Sequence, residues 1–124
     1  MIAVDSSSFI AYLAGDKAAD TEAVETALEQ KLVVFPPVVL TELLSDAKVP
    51  QNVRSLFKEI PLLTMTDGYW ERAGLLRSEI IRRGLKARLA DTLVAQSCLD
   101  HHVSLITRDP DFRHFVRWAG LKRI

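Results

Sequence analysis

Four acidic residues in this 124-residue chain have positions that indicate metal chemistry. Asp5 and Asp109 each follow a short apolar run, whereas Glu42 and Asp91 lie among apolar residues with helical spacing. Carboxylates are rare in such surroundings unless they are paired or bind a metal. Four carboxylates that meet would raise one another's pKa values, and a hard divalent cation would relieve that repulsion. Oxygen ligands without sulfur favour Mg²⁺ or Mn²⁺.

Each of these acids also has an alternative interpretation that involves no metal. Asp5 could cap the helix that follows it, and Asp91 could be an acid favoured by a helix dipole in the first turn. Asp109 precedes Pro110 and could simply form a turn. Glu42 lies inside a helical segment on an apolar face, where local structure alone gives no reason for an acid.

The elements that must position these acids alternate along the chain. Apolar runs bounded by turn residues predict strands at residues 2–4, 32–35, 61–64, 103–106 and 120–124. Apolar spacing and helix-ending residues predict helices at residues 6–13, 21–30, 38–44, 50–59, 68–83 and 90–102. This alternation is typical of an α/β fold, with a parallel sheet and helices on both faces. Ligands of such sheets bind beyond the carboxyl ends of the strands, where we expect Asp5 and Asp109 to lie.

Length and composition narrow the class of protein. The chain has the length of a single domain, which we assign to residues 1–124. The sequence contains one cysteine, Cys98, which can form no internal disulfide and favours a reducing compartment. No apolar run approaches the roughly 18 residues of a membrane span, and the first residues do not resemble a signal peptide. We therefore expect a cytoplasmic protein with no membrane contact.

The net charge is zero, but the charges are unevenly distributed. Residues 1–71 carry eleven acids and five bases, whereas residues 72–124 carry five acids and eleven bases. The basic half could form solvated helix faces or a surface that contacts phosphate groups. The candidates that we select for contacting RNA phosphates are Arg82, Arg83, Lys86, Arg88 and Arg108.

Three stretches carry a resemblance to a known family. VDSSSFIAYL, FPPVVLTELL and LADTLVAQSCLDHHVSLITRDPDFRHF occur in this order over nearly the whole chain. Together they resemble the PIN domain family, and more closely its VapC-like toxins from type II toxin–antitoxin pairs. The resemblance implies a three-layer α/β/α fold around a five-stranded parallel sheet. It also implies Mg²⁺- or Mn²⁺-dependent ribonuclease activity, and usually a homodimer that an antitoxin protein inhibits.

The resemblance assigns roles to individual residues. Asp5, Glu42, Asp91 and Asp109 match the four acidic residues of the family, which would hold the metal and carry catalysis. Asp111 is a possible additional acid. Thr107 and Ser6 could orient the ligating carboxylates by hydrogen bonds.

Other functions remain open as alternatives. A PIN nuclease can act in RNA processing outside a toxin pair, and a degenerate member would be a non-catalytic binding module. A phospho-acceptor receiver domain has similar length, but it would need an acidic pair after the first strand, where this chain has only Asp5. Exposed aromatic residues would suit an antitoxin groove or a dimer contact, although all of them could instead be core residues. The aromatic candidates are Tyr12, Phe57, Tyr69, Trp70 and Trp118.

Overall fold

The computed structural model describes all 124 residues, and strands and helices alternate along most of the chain. The strands are β1 (Ile2–Val4), β2 (Val33–Val34) and β3 (Ser104–Ile106). The helices are α1 (Ser6–Leu13), α2 (Ala19–Glu29), α3 (Pro37–Leu44), α4 (Gln51–Phe57), α5 (Tyr69–Arg82), α6 (Leu89–His101) and α7 (Arg113–Ala119). A short 3-10 helix, Pro110–Phe112, directly precedes α7.

The sheet is parallel, with β1 between β2 and β3. Ile2 pairs with Val33 on one side of β1 and with Ser104 on the other. A backbone hydrogen bond of 2.9 Å from Asp5 N–H to the carbonyl of Ile106 joins the carboxyl ends of β1 and β3. The segments that follow these two strands therefore begin side by side.

The prediction of a five-stranded sheet is wrong in strand number, because only three strands form. The two predicted outer strands are each reduced to a single parallel bridge, Phe35 with Leu62 at one edge and Leu105 with Arg123 at the other. Pro61 has no N–H to extend the first pairing. At the other edge, Gly120 ends α7 in a left-handed conformation with φ of 79°, so extended pairing begins only after it.

The six helices predicted from the sequence agree with the structure to within two residues at either end. Helix α7 was not predicted, because Pro110 and Gly120 suggested a turn followed directly by a strand. The helix lies between these two residues and is only seven residues long. Its Phe115 is fully buried and lies 5.9 Å from Phe112, measured between ring centroids.

The core is a single cluster of 23 buried apolar residues. Strand residues Ala3, Val4 and Leu105 are fully buried, as expected for a central parallel sheet. Phe9 of α1 stands edge-on to Phe35 and Phe57, with ring centroids 5.2 and 5.9 Å away. This packing fixes α1 against the sheet, and with it the turn that contains Asp5.

Candidate active site

Asp5 lies at the carboxyl end of β1, where the chain turns into α1. Only 4% of Asp5 is exposed, and its side chain makes no hydrogen bond that caps α1, which excludes the capping interpretation. Its Oδ2 instead accepts hydrogen bonds from the hydroxyls of Ser7 at 2.7 Å and Thr107 at 3.0 Å. Burial raises the pKa of Asp5, and these two hydrogen bonds lower it in part.

Thr107 connects Asp5 to the turn that follows β3. Its buried Oγ1 donates to Asp5 and accepts a hydrogen bond of 3.0 Å from Asp109 N–H. The structure therefore places Thr107 where it can orient a carboxylate, as the sequence predicts. The role of Ser7 was not predicted from the sequence, in which its only signal is the run of three serines after Asp5.

Glu42 lies in the second turn of α3 and faces the end of β1. Its Oε1 accepts a hydrogen bond of 3.2 Å from the hydroxyl of Ser6, so this hydroxyl is bonded to Glu42 rather than to Asp5. The pKa of Glu42 is raised, first by burial and then by the negative charge of Asp5. Glu42 therefore belongs to the same electrostatic group as Asp5, although 37 positions separate them along the chain.

Asp91 is the third residue of α6 and is half-buried. Its Oδ2 is shielded from solvent and has no hydrogen-bond partner. The pKa of Asp91 is raised to about 6, first by burial and then by the charges of Asp109, Asp5 and Glu42, against an opposing effect of Arg88. An acid placed in the first turn to interact with the helix dipole would normally accept hydrogen bonds from the free N–H groups there. Oδ2 of Asp91 is buried and accepts none, so the helix dipole does not explain its position.

Asp109 and Asp111 complete the acidic group. Asp109 Oδ1 accepts a hydrogen bond of 2.9 Å from Asp111 N–H, so Asp109 does shape the turn before Pro110. Asp91, Asp109 and Asp111 each offer one oxygen within 4.8 Å of the other two. The turn interpretation and the metal interpretation of Asp109 are thus compatible, since one oxygen caps the 3-10 helix and the residue still faces Asp91.

The structure brings all five predicted acids to one end of the sheet. Asp91, Asp109 and Asp111 form the tightest three-oxygen group, and charge coupling ties Asp5 and Glu42 to it. We call these five residues the acidic cluster. All the ligand atoms that this cluster offers are carboxylate oxygens, with no sulfur or imidazole nitrogen among them. The Oδ2 of Asp91, which has no hydrogen-bond partner, is the kind of atom that would bind a cation. This set fits Mg²⁺ or Mn²⁺.

Three basic side chains surround Asp111 at the edge of the acidic cluster. Lys86 Nζ lies 3.4 Å from Asp111 Oδ2, Arg88 Nε lies 3.9 Å from the same oxygen, and Arg113 Nη1 lies 3.7 Å from Oδ1. All three bases are more than half exposed. Lys86 and Arg88 were selected from the sequence as phosphate contacts, whereas Arg113 was not.

The other three selected bases are placed differently. Arg82 and Arg83 lie within 3.7 and 3.5 Å of Glu79 on α5. Arg108 donates hydrogen bonds to Asp16 at 2.8 Å and to both oxygens of Asp20 at 2.8 and 3.1 Å. Its guanidinium is therefore bound to the loop before α2 and the start of α2, not directed to the acidic cluster.

Comparison with known proteins identifies the family. The sequence matches the PIN domain over residues 2–117. The chain belongs to the PIN domain family. PIN domains are generally nucleases, and the acidic cluster is in accord with that class. The receiver-domain alternative is therefore wrong. No curated protein matches the sequence.

Solved structures of toxin–antitoxin systems share the fold of this PIN domain. A toxin–antitoxin complex from Klebsiella pneumoniae has a TM-score of 0.72 and 19% identity, covering 98% of this chain and 95% of its own. VapBC2 from Rickettsia felis, bound to a promoter DNA fragment, has a TM-score of 0.74 and 17% identity, covering 100% and 98%. VapBC-5 from Mycobacterium tuberculosis has a TM-score of 0.67 and 20% identity, covering 99% and 96%. The predicted resemblance to proteins of VapBC systems is confirmed at the level of the fold.

The aromatic residues selected from the sequence divide into two groups. Phe57 and Tyr69 are buried, in agreement with the alternative interpretation that these aromatic residues belong to the core. Trp70 and Trp118 are 60% and 40% exposed, and Tyr12 lines an apolar groove. No helix of this PIN domain is both long enough and apolar enough to span a membrane.

Proposed function

We propose that this PIN domain is a metal-dependent ribonuclease that hydrolyses RNA phosphodiester bonds. The proposal is carried by the buried, unpartnered Oδ2 of Asp91, a residue that groups with Asp109 and Asp111 in a cluster made only of carboxylates. Asp5, Asp91 and Asp109 would hold Mg²⁺ or Mn²⁺, with Glu42 and Asp111 as further ligands. When bound, the ion would lower the pKa of a coordinated water and neutralise charge that builds up on the phosphate.

The protein's own residues supply orientation for this chemistry. Ser7 and Thr107 fix Asp5, and Ser6 fixes Glu42, so these carboxylates are held before any ion arrives. RNA is repelled by the acidic cluster, and Lys86 and Arg88 beside Asp111 would hold the phosphates next to it. No histidine is needed as a base in this mechanism.

RNA cleavage by carboxylate variants tests the proposal. We expect Asp5→Asn and Asp91→Asn each to abolish cleavage of a single-stranded RNA in Mg²⁺ or Mn²⁺, with an unchanged far-ultraviolet circular dichroism spectrum. Asp67→Asn is the matched control, because Asp67 is exposed and lies outside the acidic cluster. Retained activity in both cluster variants, or no metal-dependent cleavage by the parent protein, would refute the proposed site. A folded protein that binds RNA without cleaving it would instead be a non-catalytic module.

We further propose that the chain is the toxin of a VapBC-type pair. The three similar structures come from toxin–antitoxin systems, which supports an antitoxin protein as the partner. Growth arrest on expression alone, relieved by a small DNA-binding protein encoded next to the gene, would support this role. Harmless expression of an active nuclease would favour the alternative, a PIN nuclease in RNA processing. A cytoplasmic location stays a prediction under either role.

An apolar groove of about 650 Å³ between α1, α2 and α4 offers a surface for the antitoxin. Its apolar lining includes Phe9, Tyr12, Leu13, Leu28, Leu56 and Ile60. We expect Leu56→Glu, at a half-exposed position, to prevent co-purification with the antitoxin. Met65→Glu is a control of similar exposure outside the groove. Equal capture of the antitoxin by both variants would exclude this groove as the contact.

A homodimer is proposed on separate grounds. Helix α5 exposes Trp70, Leu75 and Ile81, which are 60%, 71% and 47% exposed. Exposed apolar side chains of this size suit a contact between two copies. Light scattering coupled to size exclusion should give twice the mass of the 13.9 kDa chain for the parent protein and the single mass for Leu75→Glu. A parent protein of single mass would exclude the dimer.

A further inference from the structure

A second groove, of about 460 Å³, lies beside α7 and carries positive charge only. It is lined by Arg83, Leu85, Arg113, His114, Arg117 and Trp118. We call it the Trp118 groove. Three of its six lining residues are arginines and none is an acid, whereas the chain as a whole is neutral. Arg83 and Arg113 have the acids Glu79 and Asp111 within 3.5 and 3.7 Å, outside the lining, so the excess positive charge that favours an anionic ligand is that of Arg117.

Trp118 organises the arginines of this groove. The guanidinium carbon of Arg83 lies 3.8 Å from the centroid of the Trp118 ring, and that of Arg117 lies 4.9 Å away. A guanidinium that stacks on an aromatic face keeps its in-plane N–H groups available for hydrogen bonds to phosphate. Arg117 takes part in no ion pair, so its donors are not already bound to a carboxylate.

The Trp118 groove is continuous with the acidic cluster through Arg113. This arginine lines the groove, and its Nη1 also lies 3.7 Å from Asp111 Oδ1. Asp111 in turn offers an oxygen to the group it forms with Asp91 and Asp109. A chain of phosphates that leaves the acidic cluster past Asp111 would therefore meet Arg113 first, and Arg117 and Arg83 beyond it.

We propose that the Trp118 groove binds the phosphate backbone of single-stranded RNA next to the phosphodiester that is cleaved. This inference rests on the proposed nuclease function and extends it to a second part of the substrate. Arg83, Arg113 and Arg117 contact phosphates, and Trp118 is a positioning residue that holds Arg83 and Arg117. An acidic segment of a protein is the competing ligand that the same charges could bind, and the experiment separates the two.

The salt dependence of RNA binding tests the groove. The parent for all measurements is the Asp91→Asn protein, which we expect to bind without cutting. The probe is a fluorescein-labelled single-stranded RNA of about 12 nucleotides. Each phosphate contact adds about 0.7 to the slope of log Kd against log salt for single strands. We expect Arg117→Ser to lower that slope by about 0.7 and to weaken binding several-fold. Lys58→Ser, at an exposed position directly after α4 and outside the groove, should leave both unchanged.

Trp118 provides a second, independent reading of the same site. The chain has two tryptophans, so a Trp70→Phe background leaves Trp118 as the only indole. We expect RNA binding to change the fluorescence of Trp118. We also expect Trp118→Leu to lower the salt slope by more than the value of about 0.7 for one phosphate contact, because both Arg83 and Arg117 lose their support. An acidic ten-residue peptide should not compete. A parent-like slope in Arg117→Ser, or displacement of RNA by the peptide at comparable concentration, would overturn the inference.

The outcomes distinguish this inference from the nuclease proposal. If the native protein cleaves RNA and the groove variants bind with unchanged slope, only the groove assignment is wrong. If the native protein shows no metal-dependent cleavage while Arg117→Ser still loses one contact, the groove stands and the nuclease proposal is wrong. Circular dichroism of each variant verifies folding, and Arg117 is exposed, so its replacement removes no core contact.

Discussion

The hydroxyl of Thr107 donates a hydrogen bond of 3.0 Å to Oδ2 of Asp5, although 102 positions separate the two residues. The same hydroxyl accepts the backbone N–H of Asp109 at 3.0 Å. One buried oxygen atom therefore fixes a carboxylate at the end of β1 and the turn after β3. Neighbouring parallel strands make this contact possible, because their carboxyl ends lie at the same edge of the sheet.

Thr107→Val should separate orientation of the acidic cluster from its charge. Valine has nearly the same shape but leaves Asp5 without one donor and Asp109 N–H without its acceptor. We expect the free energy of unfolding to fall by about 1–3 kcal/mol and Mn²⁺ affinity to fall by roughly 10-fold or more. Calorimetric titration with Mn²⁺ and urea unfolding measure the two effects.

Thr107→Ser is the matched control for this change. Serine keeps the hydroxyl and removes only a methyl group, so Mn²⁺ affinity should stay near that of the parent. Valine and serine variants with the same affinity would show that the hydrogen bond does not support metal binding. Such a result would leave the position of Asp5 to the fold alone.

The raised pKa of Asp91 predicts how stability depends on pH without metal. The pKa of Asp91 is about 6 in the folded chain and 3.8 ordinarily, chiefly because burial disfavours its charge. Between these values the folded state binds more protons than the unfolded state. The free energy of unfolding therefore falls as pH rises from about 4 to 6, by on the order of 3 kcal/mol at most.

Asp91→Asn should remove most of this decline. Above pH 6 in EDTA, we expect the variant to be more stable than the parent protein, since no buried charge remains at this position. The slope will not vanish, because burial also raises the pKa values of Asp5 and Glu42. Urea unfolding at half-unit pH steps measures the difference. A parent protein whose stability rises through this window would contradict the assignment of Asp91.

Metal binding should release protons in mildly acidic solution. Because the pKa of Asp91 is about 6, this carboxyl is largely protonated at pH 5.5 and must ionise to bind a cation. We expect Mn²⁺ binding to release on the order of one proton at pH 5.5 and far fewer at pH 8. Calorimetric titration in two buffers of different ionisation enthalpy measures the number. Equal proton release at both pH values would mean that Asp91 does not bind the ion.

How much of this site can be predicted from the sequence depends on whether each signal is local. Asp5 and Asp109 could be located because each lies within three residues of the end of a recognisable strand, and Glu42 because an acid on an apolar helix face is unusual. The serine hydroxyls could not be told apart, since Ser6 and Ser7 are adjacent and only the fold shows that the hydroxyl of Ser7 is bonded to Asp5 and that of Ser6 to Glu42. The metal-binding roles themselves stay predictions.

The same distinction applies to the fold. The helices were predicted closely because apolar spacing and ending residues are local, whereas strand pairing is a property of segments far apart. Leu62 and Arg123 lie beside the sheet as the sequence suggested, but each pairs over one residue only. Arg113 and Arg117 were missed in this role because α7, which carries both, was missed, whereas Arg83 was selected as a phosphate contact from the sequence.

Arg108 is the basic residue whose predicted role the structure calls most into question. Its guanidinium holds Asp16 and Asp20, and Asp20 also accepts a hydrogen bond of 2.8 Å from the buried hydroxyl of Ser8. The pKa of Asp20 is lowered to about 2, chiefly by the hydrogen bonds from Arg108 and further by the hydrogen bond from Ser8 and the charge of Arg108. The stabilising contribution of this carboxylate is therefore present above its ordinary pKa of 3.8 and is lost as pH falls toward 2.

We therefore expect Arg108→Ala to lower thermal stability at neutral pH and to leave the salt slope of RNA binding unchanged. Asp20→Asn should lower stability in the same direction, and the double variant should lose less than the sum of the two single losses, because the two groups interact directly. About 1 M salt should shrink this coupling, since the pair is exposed. Thermal unfolding of the four proteins measures the coupling. If Arg108→Ala instead lowers the salt slope by about 0.7 without loss of stability, Arg108 contacts a phosphate, as first selected from the sequence.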